Sequence, residues 1–105
     1  MILAMTSCPT AGEADLIASA LVEERLAACV QILPVRSVYR WSGEIERADE
    51  WALQIKTREA LADAVRDRIV ALHSYDLPEF MIVQVAGASP GYAAWVGAET
   101  EVGAR

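Results

Sequence analysis

The chain has 105 residues, 54% hydrophobic and 23% charged, a length typical of one domain spanning 1–105 and a composition far from that of disordered segments. Its net charge of −6 repels phosphate backbones and anionic lipid, so no nucleic-acid or membrane partner is expected. No apolar run approaches the ~18 residues of a membrane span, and Met1–Thr10 lacks the basic residues that open a signal peptide, so the expected location is cytoplasmic. Cys8 and Cys29 are the only cysteines, which gives neither a disulfide framework nor a CxxC pair. Without a covalent staple, so small and apolar a domain is expected to gain stability by forming a homo-oligomer.

Met1 to Cys8 reads as a strand with both alternating sets largely apolar, so cover is expected on both faces. Thr10-Ala11-Gly12-Glu13 has capping-box spacing, in which Thr10 accepts from the third helical amide and Glu13 reaches back to the cap amide. A helix over 11–28 follows, with Ala14, Ile17, Ala18, Leu21, Val22 and Leu26 as its apolar stripe. From Cys29 to Ile45 the pattern is strand, and Pro34 predicts an edge position, a bulge or a bend. Ser42-Gly43 supplies a turn, and Trp51, Leu53 and Ile55 then alternate as a half-buried strand. Thr57 is placed to cap a second helix over 58–72, with Leu61, Val65, Ile69 and Leu72 inward. Phe80–Ala86 is another strand. Ser89-Pro90 opens a short helix carrying Tyr92, Trp95 and Val96, and Glu101–Arg105 should fray.

The order strand, helix, strand, strand, helix, strand, short helix is that of an α+β ferredoxin-like split βαββαβ domain with an antiparallel sheet. Both long helices then cover one sheet face. The apolar residues on the other face, Met5 and Val83 among them, predict a homo-oligomer packed sheet against sheet.

Several segments together resemble the CutA divalent-cation tolerance family: Leu21-Val22-Glu23-Glu24-Arg25-Leu26-Ala27-Ala28-Cys29-Val30, Ser37-Val38-Tyr39 with Trp41 and Gly43, Ile55-Lys56-Thr57, His73 with Tyr75 and Pro78-Glu79, and Tyr92 with Trp95. The resemblance covers essentially the whole chain. It implies a ferredoxin-like homotrimer whose subunits exchange strand pairing, linked to tolerance of copper and other divalent ions, with copper or another divalent metal as the implied cofactor. Copper-binding members carry a first-strand cysteine where this chain has Thr6, and His-His-Pro-Tyr where it has Leu72-His73-Ser74-Tyr75; of those ligand positions only His73 is kept.

His73, the only histidine, falls at the end of the second helix, where it either bonds the last carbonyls or serves as a metal ligand. The helix between Cys8 and Cys29 carries the chain ~25 Å back along the sheet, too far for a disulfide between them. Strand alternation puts Cys8 on the face of Thr6, and the second helix returns the chain to that end of the sheet. Cys8 and His73 are therefore the candidate pair for copper or zinc, against the plain reading of Cys8 as a small core hydrophobe. Asp76 and Glu79, flanking Pro78, are the carboxylates placed to complete the site, with Glu79 the third candidate ligand. Lys56, the only lysine, is expected on the less apolar sheet face in an ion pair. No nucleophile or oxyanion-hole motif accompanies these groups, so an enzyme is not expected. The alternative of another class is a small-molecule-sensing or scaffold trimer, like the nitrogen-regulatory PII signalling proteins, with ligand clefts between subunits.

Overall fold

The computed structural model describes residues 1–101; the expected fraying lies outside the described residues beyond Glu101. Strands β1 (Ile2–Cys8), β2 (Cys29–Trp41), β3 (Glu44–Thr57) and β4 (Met81–Gln84) form one sheet in the order β2-β3-β1-β4, and all its neighbours are antiparallel. Helices α1 (Ala11–Glu23) and α2 (Ala62–Leu72) follow β1 and β3, and α3 (Pro90–Glu99) ends the described chain. This is the ferredoxin-like split arrangement expected from the sequence.

Alternation fixes the faces. On β1 the set Ile2, Ala4, Thr6 and Cys8 is fully buried, whereas Leu3, Met5 and Ser7 are only partly covered. Ala4 and Cys8 of that set meet Leu53 and Ile55 of β3, Ile17 and Leu21 of α1, and Val65 and Ile69 of α2 in one apolar core.

The first helix is shorter than its apolar stripe suggests. It stops at Glu23 because Arg25 takes a left-handed conformation (φ 59°), the role glycine usually fills at a helix end. The amides of Leu26 and Ala27 then both return to the Leu21 carbonyl, at 2.9 and 3.1 Å. Leu26 remains a core residue, but it is carried by this reversal rather than by the helix.

Strands β2 and β3 are one long hairpin. Ser42 (φ 50°) and Gly43 (φ 81°) form its two-residue turn, as expected where both central residues must take positive φ. Pro34 sits on β2, an edge strand, opposite Trp51. β1 pairs with β3 only as far as Cys8 opposite Trp51, so the hairpin beyond that point has no third strand and accounts for the long 45 Å axis. Its apolar side chains stand in solvent, with Val38 60% and Trp41 57% exposed.

Two local expectations are corrected. Thr57 caps no helix; its hydroxyl is buried and donates to the Leu26 carbonyl at 2.6 Å, and a 3-10 turn at Glu59–Leu61 precedes α2. Lys56 makes no ion pair among the described residues: it donates to Gln31 at 2.7 Å and lies 5.7 Å from the centre of the Tyr92 ring. The C-terminal end of α3 is held by arginines. Arg58 donates to the Gly97 carbonyl and to Thr100, and Arg25 donates to the Glu99 carbonyl, which suits cations at a helix C-terminus.

Candidate metal centre

β4 pairs with β1 only from Ile2 to Met5, which leaves the last three residues of β1 open on that edge. His73, the C-cap of α2, fills the gap: its backbone amide closes the helix on Ile69 at 2.8 Å, while its side-chain Nε2 lies 2.7 Å from the Ser7 carbonyl. The imidazole therefore does not bond a carbonyl of its own helix, which the capping reading expected; the backbone amide closes α2 and the side chain turns into the end of the sheet.

The hydrogen bonds define the tautomer. A carbonyl only accepts, so Nε2 carries the proton; the Tyr75 amide donates to Nδ1 at 3.0 Å, so Nδ1 presents its lone pair. Glu13 Oε2 stands 3.4 Å from that same Nδ1. Two acceptors facing each other without a proton between them repel, and Glu13 Oε2 is buried with no hydrogen-bond donor. An orphaned carboxylate oxygen of this kind carries an unmet desolvation penalty.

The third group is Cys8. Its thiol, fully buried at the end of β1, has its pKa pushed up to about 11, chiefly by burial and then by the negative charges of Glu13 and Glu50. One ligand atom from each of Cys8, Glu13 and His73 lies within 4.8 Å of the others, the one such group among the described residues. Sulfur, nitrogen and oxygen donors from β1, α2 and α1 therefore meet at one point. Donor sets of this softness suit zinc and copper, and the Nε2–H bond to a backbone carbonyl is the arrangement that orients a metal-ligating histidine.

The sequence brings Cys8 and His73 together correctly and misses Glu13. Its place three residues after Thr10 suggested a reciprocal cap, but only half of that cap forms. The Glu13 amide donates to Thr10 Oγ1 at 3.1 Å, while the carboxylate turns inward to His73. Glu79 lies elsewhere: with Asp76 it lines a neighbouring cavity of about 710 Å³, whose walls also include Tyr39, Trp41, Glu50 and Tyr75. Thr6 is buried with an unpaired hydroxyl. Cys29 is remote from Cys8, since they oppose Lys56 and Trp51 respectively on the intervening β3, and both are free.

Tyr75 separates cluster from cavity. Its amide bonds His73, its ring centre is 4.9 Å from the imidazole, and its hydroxyl donates to Glu50 Oε2 at 3.3 Å. Burial and the adjacent Glu50 charge raise the Tyr75 pKa, so the phenol stays a donor.

Residues 2–99 match the family model described as CutA1 divalent ion tolerance protein. The chain is 38% identical over 99 residues to Protein CutA of Mus musculus, covering 93% of this chain but only 56% of the mouse protein. Among solved structures it is similar to CutA of Xylella fastidiosa, at 44% identity and a TM-score of 0.93, with 95% of this chain and 97% of that one covered. It is also similar to the periplasmic divalent cation tolerance protein CutA of Archaeoglobus fulgidus, at 35% identity and a TM-score of 0.94, over 96% of this chain and all of that one, 100%.

Proposed function

The chain belongs to the CutA1 divalent ion tolerance family, and we propose that it serves such tolerance without catalysis, as a homotrimer that binds copper or zinc through Cys8, Glu13 and His73. The observation that carries the reading is the convergence of thiol, imidazole and carboxylate within 4.8 Å, where Glu13 Oε2 has no other partner. Metal–ligand bonds of about 2.0–2.3 Å put tetrahedral donors ~3.3–3.8 Å apart, so the group needs only a small contraction. His73 Nδ1 would offer its lone pair in place of accepting from the Tyr75 amide, and Cys8 would have to give up its proton to serve as a thiolate ligand. Glu79, the third ligand expected from the sequence, lines the neighbouring cavity and is not part of this donor group.

Trimer formation is supported by the apolar surface of a lone chain. Met81, Ile82 and Val83 of β4 and the projecting hairpin are exposed, and a two-stranded ribbon has little stability by itself. Each such side chain removed from water contributes roughly 1.5–3 kcal/mol. A cytoplasmic location is proposed because a Cys8 thiol that serves as a ligand has to stay reduced, which a reducing compartment preserves. No helix among the described residues is long and apolar enough to cross a membrane.

The test is titration of the apo protein with zinc and with copper under reducing conditions, alongside Cys8→Ser, Glu13→Gln and His73→Ala. Each variant should weaken binding by a decade or more while sedimentation still gives three chain masses. Tight binding that survives loss of both Cys8 and His73 would put the metal elsewhere. A second reading, a trimer that senses a small molecule in the manner of PII proteins, is favoured by one observation, the walled cavity beside the cluster.

A further inference from the structure

His73 has a single lone pair to give. Its Nε2 carries the proton bonded to the Ser7 carbonyl, so only Nδ1 can act as a ligand, and Nδ1 accepts from the Tyr75 amide at 3.0 Å. A ring-nitrogen lone pair serves an N–H donor or a cation, not both at once. The Tyr75 amide therefore holds the very atom that the donor group needs.

The two sides of this hydrogen bond are fixed to different degrees. The imidazole is held at both ends, by the closure of α2 on Ile69 at 2.8 Å and by the 2.7 Å bond to Ser7, and its side chain is fully buried. Tyr75 is 39% exposed and lies between α2 and β4, in a segment from His73 to Phe80 with neither helix nor strand. Tyr75 is thus the side that yields. Its own side chain restrains it: the hydroxyl donates to buried Glu50 Oε2 at 3.3 Å, and the ring centre lies 4.9 Å from that of the imidazole. Tyr75 follows His73 by only two residues, so a shift of the backbone that frees Nδ1 also strains the phenol's bond to Glu50.

We propose that Tyr75 is a positioning residue that restrains metal binding through His73: its amide holds Nδ1, and its phenol, tied to Glu50, keeps the amide in place. The inference rests on the reading of Cys8, Glu13 and His73 as the metal site and adds what regulates that site. Such coupling is reciprocal. Loosening Tyr75 raises the affinity of the cluster, and filling the cluster loosens the loop around Tyr75. One hydrogen bond of the usual net strength corresponds to about three- to tenfold in the binding constant.

The test combines two measurements on the full-length protein under reducing conditions, with zinc as the probe. Competition against a chromophoric chelator compares the unmutated protein with Tyr75→Phe, which should bind zinc about three- to tenfold more tightly. A purely structural role predicts the opposite sign, because the variant leaves Glu50 Oε2 without its donor. Amide hydrogen exchange by NMR on the unmutated protein is the second measurement and holds whether or not the variant folds: zinc should accelerate exchange at Tyr75 at least tenfold while exchange in β1 and β3 is unchanged. Equal or weaker binding by Tyr75→Phe, or a Tyr75 amide that stays protected in zinc-loaded protein, would overturn the restraint and leave the metal site standing. Failure of the unmutated protein to bind zinc at all would refute the metal site, and this inference with it.

Discussion

Metal affinity should rise with pH above neutrality, by an amount that follows from Cys8. The thiol must lose its proton to become a ligand, and burial beside Glu13 and Glu50 raises its pKa to about 11. At pH 7 the thiol is far below that value, so displacing its proton opposes binding by several kcal/mol. Because His73 already presents a bare Nδ1 in the neutral tautomer, one proton per metal is released. Moving from pH 7.0 to 8.5 should therefore tighten binding about 30-fold. Competition against a chromophoric chelator at both pH values measures the ratio, and calorimetry in two buffers of different ionisation enthalpy counts the proton. In Cys8→Ser the pH slope should vanish along with a decade or more of affinity. A flat profile in the unmutated protein, or a slope that survives Cys8→Ser, would refute the thiolate as a ligand.

The same raised pKa makes the metal-free fold sensitive to alkali: the folded state holds the Cys8 proton more tightly than the unfolded chain, so its contribution is complete below pH 9 and is lost as pH rises towards 11. Urea unfolding should show the unmutated protein losing about 1.4 kcal/mol more than Cys8→Ala between pH 8 and pH 10. Thr57→Val leaves the buried Leu26 carbonyl without its donor and should destabilise by roughly 1–3 kcal/mol in the same assay. Arg58→Ala removes the donors to Gly97 and Thr100, and hydrogen exchange over Pro90–Glu99 should accelerate while exchange in β1 and β3 is unchanged.

The elements that position the site were legible because they are written in local pattern. Alternation on β1, the Thr10 cap and the inward spacing of Val65 and Ile69 each specify one structure, and their order specifies the sheet. The meeting of Cys8 and His73 followed from that topology, since a strand end and the end of the returning helix share one edge. Glu13 was not legible, because its spacing from Thr10 offers a complete local use, and only the packed structure shows the carboxylate turned to an imidazole sixty residues on in the chain. The end of α1 was missed for a related reason: Arg25 takes a left-handed conformation that no glycine announces. Glu50 sits in a charged stretch that reads as solvated, yet it is buried and accepts from the Tyr75 hydroxyl.

X-ray absorption at the zinc edge, on protein loaded with one equivalent per chain, tests the central claim most directly. The account predicts one sulfur at about 2.3 Å and a shell of nitrogen and oxygen at about 2.0–2.2 Å, with the sulfur lost in Cys8→Ser and retained in Cys29→Ser. A spectrum of oxygen and nitrogen alone, or a sulfur that disappears with Cys29, would contradict it.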